Sequence, residues 1–126
     1  MKRAMGYIPK DAEYYLAEIV LEIAVTGEAE SLVHTNLVLV RADSPDEAYT
    51  KALELGHAGE YTEKNSDGTE VSVRFRGLRD LNVIHDKLGH GAELIYREDT
   101  FDEAAIARWV SPKEALGVFA SPPPRS

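Results

Sequence analysis

The stretch Val71-Ser72-Val73-Arg74-Phe75-Arg76-Gly77-Leu78-Arg79-Asp80-Leu81-Asn82-Val83-Ile84 decides the fold. Val71, Val73 and Phe75 share one parity and Ser72, Arg74 and Arg76 the other, the period of two expected of a strand with one buried face. Gly77 breaks the pattern, and a glycine inside a strand marks a bulge or a close backbone approach. Beyond it Leu81 and Val83 resume the apolar parity with Arg79 between them. Parity therefore places Arg79 on the buried side unless the bulge turns it out. Three arginines within this stretch also gather positive charge in a chain of formal net charge −8.

Upstream, the odd positions Tyr15, Ala17, Ile19, Leu21, Ile23 and Val25 are apolar while Glu18 and Glu22 occupy even ones. A helix would also place Glu18 and Glu22 on one face, but β-branched Ile19, Val20, Ile23 and Val25 favour a strand. Thr26 to Ser31 reads as a hairpin loop, and Leu32 to Ala42 as a second strand with His34 and Asn36 on one parity and Val33, Leu37 and Leu39 on the other. Asp43-Ser44-Pro45-Asp46-Glu47 is a helix start. Ser44 can cap, Pro45 suits the first helical position, and Glu47 completes a capping box. Ala48, Tyr49, Ala52, Leu53 and Leu55 form the helix's apolar stripe, Glu47 and Lys51 an i,i+4 pair, and Gly56 a stop.

Asn65-Ser66-Asp67-Gly68 is a turn, with Glu60 to Glu63 able to pair briefly with the strand that follows it. Downstream, Lys87 to Gly91 reads as a turn and Ala92 to Arg97 as a fourth strand. Two capping-box patterns, Thr100 to Glu103 and Ser111 to Glu114, predict short helices carrying Ile106, Trp109, Val110, Leu116 and Phe119 into a core. The expectation is an α+β fold: an antiparallel sheet of about four strands in order β-β-α-β-β, one helix on one face and short C-terminal helices. A lead-in over residues 1–13, a single domain over 14–120 and a disordered Pro-rich tail over 121–126 complete the layout.

Composition narrows the function. Of 126 residues, 44% are hydrophobic and 29% charged, a balance that fits a soluble globular domain. The acidic balance argues against a nucleic-acid partner, because phosphate affinity comes from clustered Lys and Arg. No run is long enough to span a membrane, and cysteine is absent, which excludes disulfides, thiol nucleophiles and thiolate metal sites. The expected compartment is the cytoplasm. The chain holds no G-x-S-x-G, no glycine-rich phosphate loop and no H-E-x-x-H.

The segments Tyr15-Leu16-Ala17-Glu18-Ile19, Ala42-Asp43-Ser44-Pro45 and Gly77-Leu78-Arg79-Asp80-Leu81 resemble a family of small bacterial proteins known as domain of unknown function 4288. The likeness runs from about Tyr14 to Arg97. It implies a bacterial source and a single-domain protein, and brings no activity, cofactor or functional residue with it.

The site candidates therefore come from the residues alone. Glu18, Glu22, His34, Asn36, Arg74 and Arg76 are expected on one polar sheet face, either a solvated surface laced with cross-strand pairs or a docking surface. Leu16, Val20, Val38 and Val40 on that parity favour a protein contact, or cover by the Trp109 segment. Arg79 is read as a structural clamp on a helix end or a nearby acid, with anion binding as the competing role. His85, Asp86 and His90 are the densest group of potential metal ligands, but their spacing matches no metal motif, so no cofactor is expected. The leading expectation is a non-enzymatic protein-binding or regulatory module, with a homodimer among its partners. A small metal-assisted or His-dependent enzyme is the alternative.

Overall fold

The computed structural model describes residues 11–119. The expected tail at 121–126 and residues 1–10 of the expected lead-in lie outside them. The chain divides between Tyr96 and Arg97 into two compact units.

The first unit is the α+β fold. Strands β1 (Tyr14–Val25) and β2 (Leu32–Arg41) precede helix α1 (Pro45–Ala58), and strands β3 (Tyr61–Lys64) and β4 (Glu70–Val83) follow it. They form one antiparallel sheet in the order β2-β1-β4-β3, so the most apolar strand is central and β2 and β3 are edges. The fourth strand is β3. The segment Ala92 to Arg97, expected as a strand, has no strand pairing. Instead the Asn65–Gly68 turn closes a hairpin: Gly68 N–H donates to the Asn65 carbonyl at 2.9 Å, and Asp67 Oδ1 accepts the Thr69 N–H at 2.9 Å. That turn chemistry draws the short polar Tyr61–Lys64 segment into the sheet despite its weak strand pattern.

Helix α1 begins as its sequence requires. Ser44 Oγ accepts the Glu47 N–H at 3.1 Å, and the Glu47 carboxylate reaches back to accept the Asp43 N–H at 2.7 Å. Lys51 lies 3.7 Å from Glu47 and also donates to the Arg41 carbonyl, tying the helix to the end of β2. The buried stripe is made of small residues, Ala48, Ala52 and Gly56, while Tyr49 and Leu55 of the expected stripe are exposed. Small residues let the helix backbone lie close to the sheet. Gly56, expected as the stop, continues the helix instead: Ala58 is the last helical residue and Gly59 is the C-cap. The ring of Phe75 occupies the space where a side chain at position 56 would begin. This contact, and not a helix stop, accounts for the glycine. The core under α1 joins Tyr15, Ala17 and Ile19 of β1, Val40 of β2, Ala42, Ala48 and Ala52, with Phe75, Leu78, Leu81 and Val83 packed against it. Burial, then the carboxylates of Asp43 and Glu47, push the Tyr15 hydroxyl above the ordinary tyrosine range.

In the second unit, helix α2 (Glu103–Trp109) is capped by Asp102, whose Oδ1 accepts the Ala105 N–H at 2.9 Å, and a single 3₁₀ turn follows at Lys113–Ala115. Phe101 and Trp109 meet edge to face at 5.3 Å. Trp109, expected in a core, is 60% exposed.

Candidate functional site

Two ladders flank β1. The β1–β2 ladder is regular from Tyr14↔Arg41 to Ile23↔Leu32. The β1–β4 ladder shifts register twice, between Glu18 and Ile19 and again between Val20 and Leu21. At the first shift Glu18 faces Asp80 and Ile19 faces Leu78, which leaves Arg79 as the extra residue of a bulge. At the second, Val20 faces Gly77 and Leu21 faces Phe75, which leaves Arg76 as the extra residue. The two insertions cancel. Leu81 and Val83 therefore share the core face with Val71, Val73 and Phe75, as their parity predicts, while between the bulges Leu78 takes the inward place that parity gave to Arg79.

Arg79 thus lies on the sheet face opposite α1, the helix-free face of the first unit taken by itself, and not on the side buried under α1. Its guanidinium donates to Glu18 Oε1 at 3.1 Å, with Arg79 65% and Glu18 12% exposed. The clamp on a nearby acid is present, reached from the opposite face to the one parity indicates. Its physical purpose is visible in the register: Glu18 is paired with Asp80, and like charges directly opposite on adjacent strands repel. The bulge places a cation beside them. Asp80 is also engaged by its own neighbours, accepting the Leu81 N–H at 2.9 Å and the Asn82 amide at 3.0 Å.

The second bulge repeats the device. Arg76 donates to Glu22 Oε1 at 2.6 Å, Ser31 Oγ donates to Glu22 Oε2 at 2.8 Å, and Arg74 is the register partner of Glu22. The Ser31 hydroxyl first, and then Arg76, hold the Glu22 carboxyl below the ordinary glutamate range. Gly77, between the bulges, has φ +137°, a backbone conformation that residues with a Cβ rarely adopt. Nothing crowds a Cβ there, so conformation alone selects glycine.

His34 and Asn36 are corrected in the other direction. They pair with Leu21 and Ile19, which puts them on the helix-side parity together with Val38 and Val40. The helix-free face instead carries Val33, Leu37 and Leu39 opposite Glu22, Glu18 and Leu16, and these three are 61%, 60% and 44% exposed. A signal for this existed in the sequence. Joining strand ends Val25 and Leu32 across the even-numbered loop Thr26–Ser31 sets odd residues of one strand against even residues of the next.

Away from this face, Glu60 accepts from His57 Nδ1 at 3.1 Å and from the Phe75 N–H at 3.0 Å, and these bonds, His57's first, lower its carboxyl's pKa. Asp86 Oδ2 accepts the Glu93 N–H at 3.0 Å, and among the described residues no group of three or more His, Asp or Glu side chains is placed to hold a metal ion. A shallow cleft of about 400 Å³ opens between β2 and α1, lined by Leu39, Val40, Arg41, Lys51, Glu54, Leu55 and Ala58. No helix among the described residues is long and apolar enough to cross a membrane.

No curated protein and no solved structure matches the chain. A family model, described as a domain of unknown function (DUF4288), matches residues 14–96, from the first residue of β1 to the last residue of the first compact unit. With most of its length inside that match, the chain belongs to the DUF4288 family.

Proposed function

We propose that the protein is a non-enzymatic protein-interaction module that acts through the helix-free face of its sheet. The observation that carries this reading is the exposed row Val33, Leu37 and Leu39 lying beside two arginine–glutamate pairs. An apolar strip bordered by arginine and carboxylate matches the anatomy of a protein interface, with an apolar centre and a charged rim. The ion pairs also argue for a protein and against a small anion as the ligand. Arg76 and Arg79 already neutralise Glu22 and Glu18, so the face offers shape, apolar surface and patterned charge in place of a free cationic socket.

The double substitution Arg74→Glu with Arg76→Glu tests the reading, because it reverses the charged rim while leaving the core residues untouched. Partners captured from the source organism by the parent chain should be lost with the variant, and circular dichroism should show it still folded, with some loss of thermal stability because both new glutamates lie against Glu22. An identical set of captured proteins, by mass spectrometry, would remove the proposal.

A further inference from the structure

We infer that two copies of this chain pair edge to edge through β2, antiparallel about Asn36, to form one continuous sheet. The inference rests on the reading that the sheet is where the protein acts, and it identifies one partner as a second copy. Edge strands expose unpaired backbone N–H and C=O groups, and monomeric proteins guard them with short length, charge, proline or a bulge. The other edge, β3, is guarded: it runs only from Tyr61 to Lys64 and carries Glu63 and Lys64. By contrast β2 is long, its register with β1 has no bulge, and from Leu32 to Val40 it holds no proline, lysine, arginine, aspartate or glutamate. Its outward apolar residues stay exposed, and among the described residues no strand lies beyond it.

Self-pairing fits this strand in particular. A two-fold axis between antiparallel edges sets each residue against one of the same parity, so the axis must pass beside a residue. Asn36 is the midpoint of the uncharged run Leu32–Val40. Centred there, Val33 meets Leu39 and Thr35 meets Leu37 on the helix-free face, joining the two exposed apolar rows. On the helix side Leu32 of the second copy meets Val40, at the mouth of the cleft lined by Leu39, Leu55 and Ala58. The charges that bracket the run complement each other. Arg41 at one end comes opposite Ser31 and next to Glu30 of the second copy, and Arg41 is only loosely held within its own chain, 3.5 Å from an exposed Glu13.

Sedimentation equilibrium of the full chain, with the Asn36→Asp and Asn36→Lys variants, tests the pairing. The parent should be dimeric. Asn36→Asp brings two carboxylates together at the axis and should raise the dissociation constant by roughly tenfold or more, and an equimolar mixture of Asn36→Asp and Asn36→Lys should recover the dimer. Circular dichroism should match the parent for both, since Asn36 is exposed. A monomeric parent overturns the inference, and slow exchange in that monomer of the β2 amides that point away from β1 would assign the edge to another segment of the same chain. A dimer indifferent to both Asn36 variants also overturns it. If that dimer is lost instead in the Arg74→Glu, Arg76→Glu variant, the helix-free-face reading stands while edge pairing falls. Loss with Asn36→Asp alone supports the edge, and leaves the face to be judged by its own capture experiment.

Discussion

The two ladders on either side of β1 use the same central strand in opposite ways. Towards β2 the register is unbroken, and the result is an edge of exposed Leu and Val side chains with almost no charge. Towards β4 two bulges interrupt the register, each delivering an arginine to a glutamate of β1, and the sheet ends at a short charged strand. Regular pairing keeps a strand flat and available to another chain, whereas bulges twist it and end simple pairing. The difference teaches that Glu18 takes its cation from the β4 side, while Glu22 takes one there and adds the Ser31 hydroxyl just ahead of β2. Their β2 neighbours, Leu37 and Val33, offer them nothing polar.

The comparison breaks most sharply at Gly77. Gly77→Ala forces a Cβ into φ +137°, where space is ample and the backbone is not. The expected loss is about 1–3 kcal/mol of folding stability, the usual cost of holding a residue in a sparsely populated backbone region. Urea unfolding measures it. Because the strain lies between the bulges, amide exchange should quicken along the β1–β4 ladder around Leu78 and Phe75 more than along β1–β2. Equal quickening in both ladders would mean that the bulges are not a separate unit of stability.

Most of this architecture was legible from local chemistry. The cap at Ser44, Pro45 and Glu47, the strand periods of β1 and β2, and the Asn65–Gly68 turn each depend on neighbours in sequence, and each is where the residues place it. The candidate site is less legible because it depends on register. Gly77 announced a bulge, but a second insertion that cancels the first leaves the parity of Leu81 unchanged and so hides which side Arg79 takes. Composition groups His34 and Asn36 with the polar residues of β1 and β4, although the loop between β1 and β2 sets the opposite parity. Ala92 to Arg97 has strand-forming residues but pairs with neither edge of the sheet, because residue type favours extended backbone without specifying a partner.

A smaller effect separates the bulges from each other. Arg79→Ala removes the cation from a nearly buried Glu18 that faces Asp80, and should cost about 1–2 kcal/mol, the penalty for a buried acceptor left without its partner, at its low end because Arg79 itself lies in water. Arg76→Ala should cost less, because Glu22 keeps the Ser31 hydroxyl and its neighbour Arg74. Denaturant midpoints of the two variants, measured side by side, check the ranking. The reverse order would show that exposure of the arginine, rather than burial of its glutamate, governs the pair.

The smallest expected effect is a matter of pH. Glu22 has a folded pKa below the ordinary glutamate value of 4.5, so it binds its proton less readily in the folded chain than in the unfolded one. Its contribution is therefore complete above that ordinary value and is lost as the pH falls through the lower, folded one. Glu22→Gln keeps an acceptor for Ser31 but has no proton to take up, so it should unfold with a flatter acid limb than the parent and with a small loss at neutral pH. Glu60 and Asp67 are depressed in the same direction, and they keep the variant's acid limb from becoming flat. Adding salt sharpens the test: it should shrink the share that comes from Arg76 while sparing the Ser31 hydrogen bond, because screening acts on the exposed ion pair and far less on a neutral hydroxyl donor. An acid limb identical in parent and variant would mean that Glu22 is no more strongly held in the folded chain than in the unfolded one, and the bulged ladder would then differ from the regular one in shape alone.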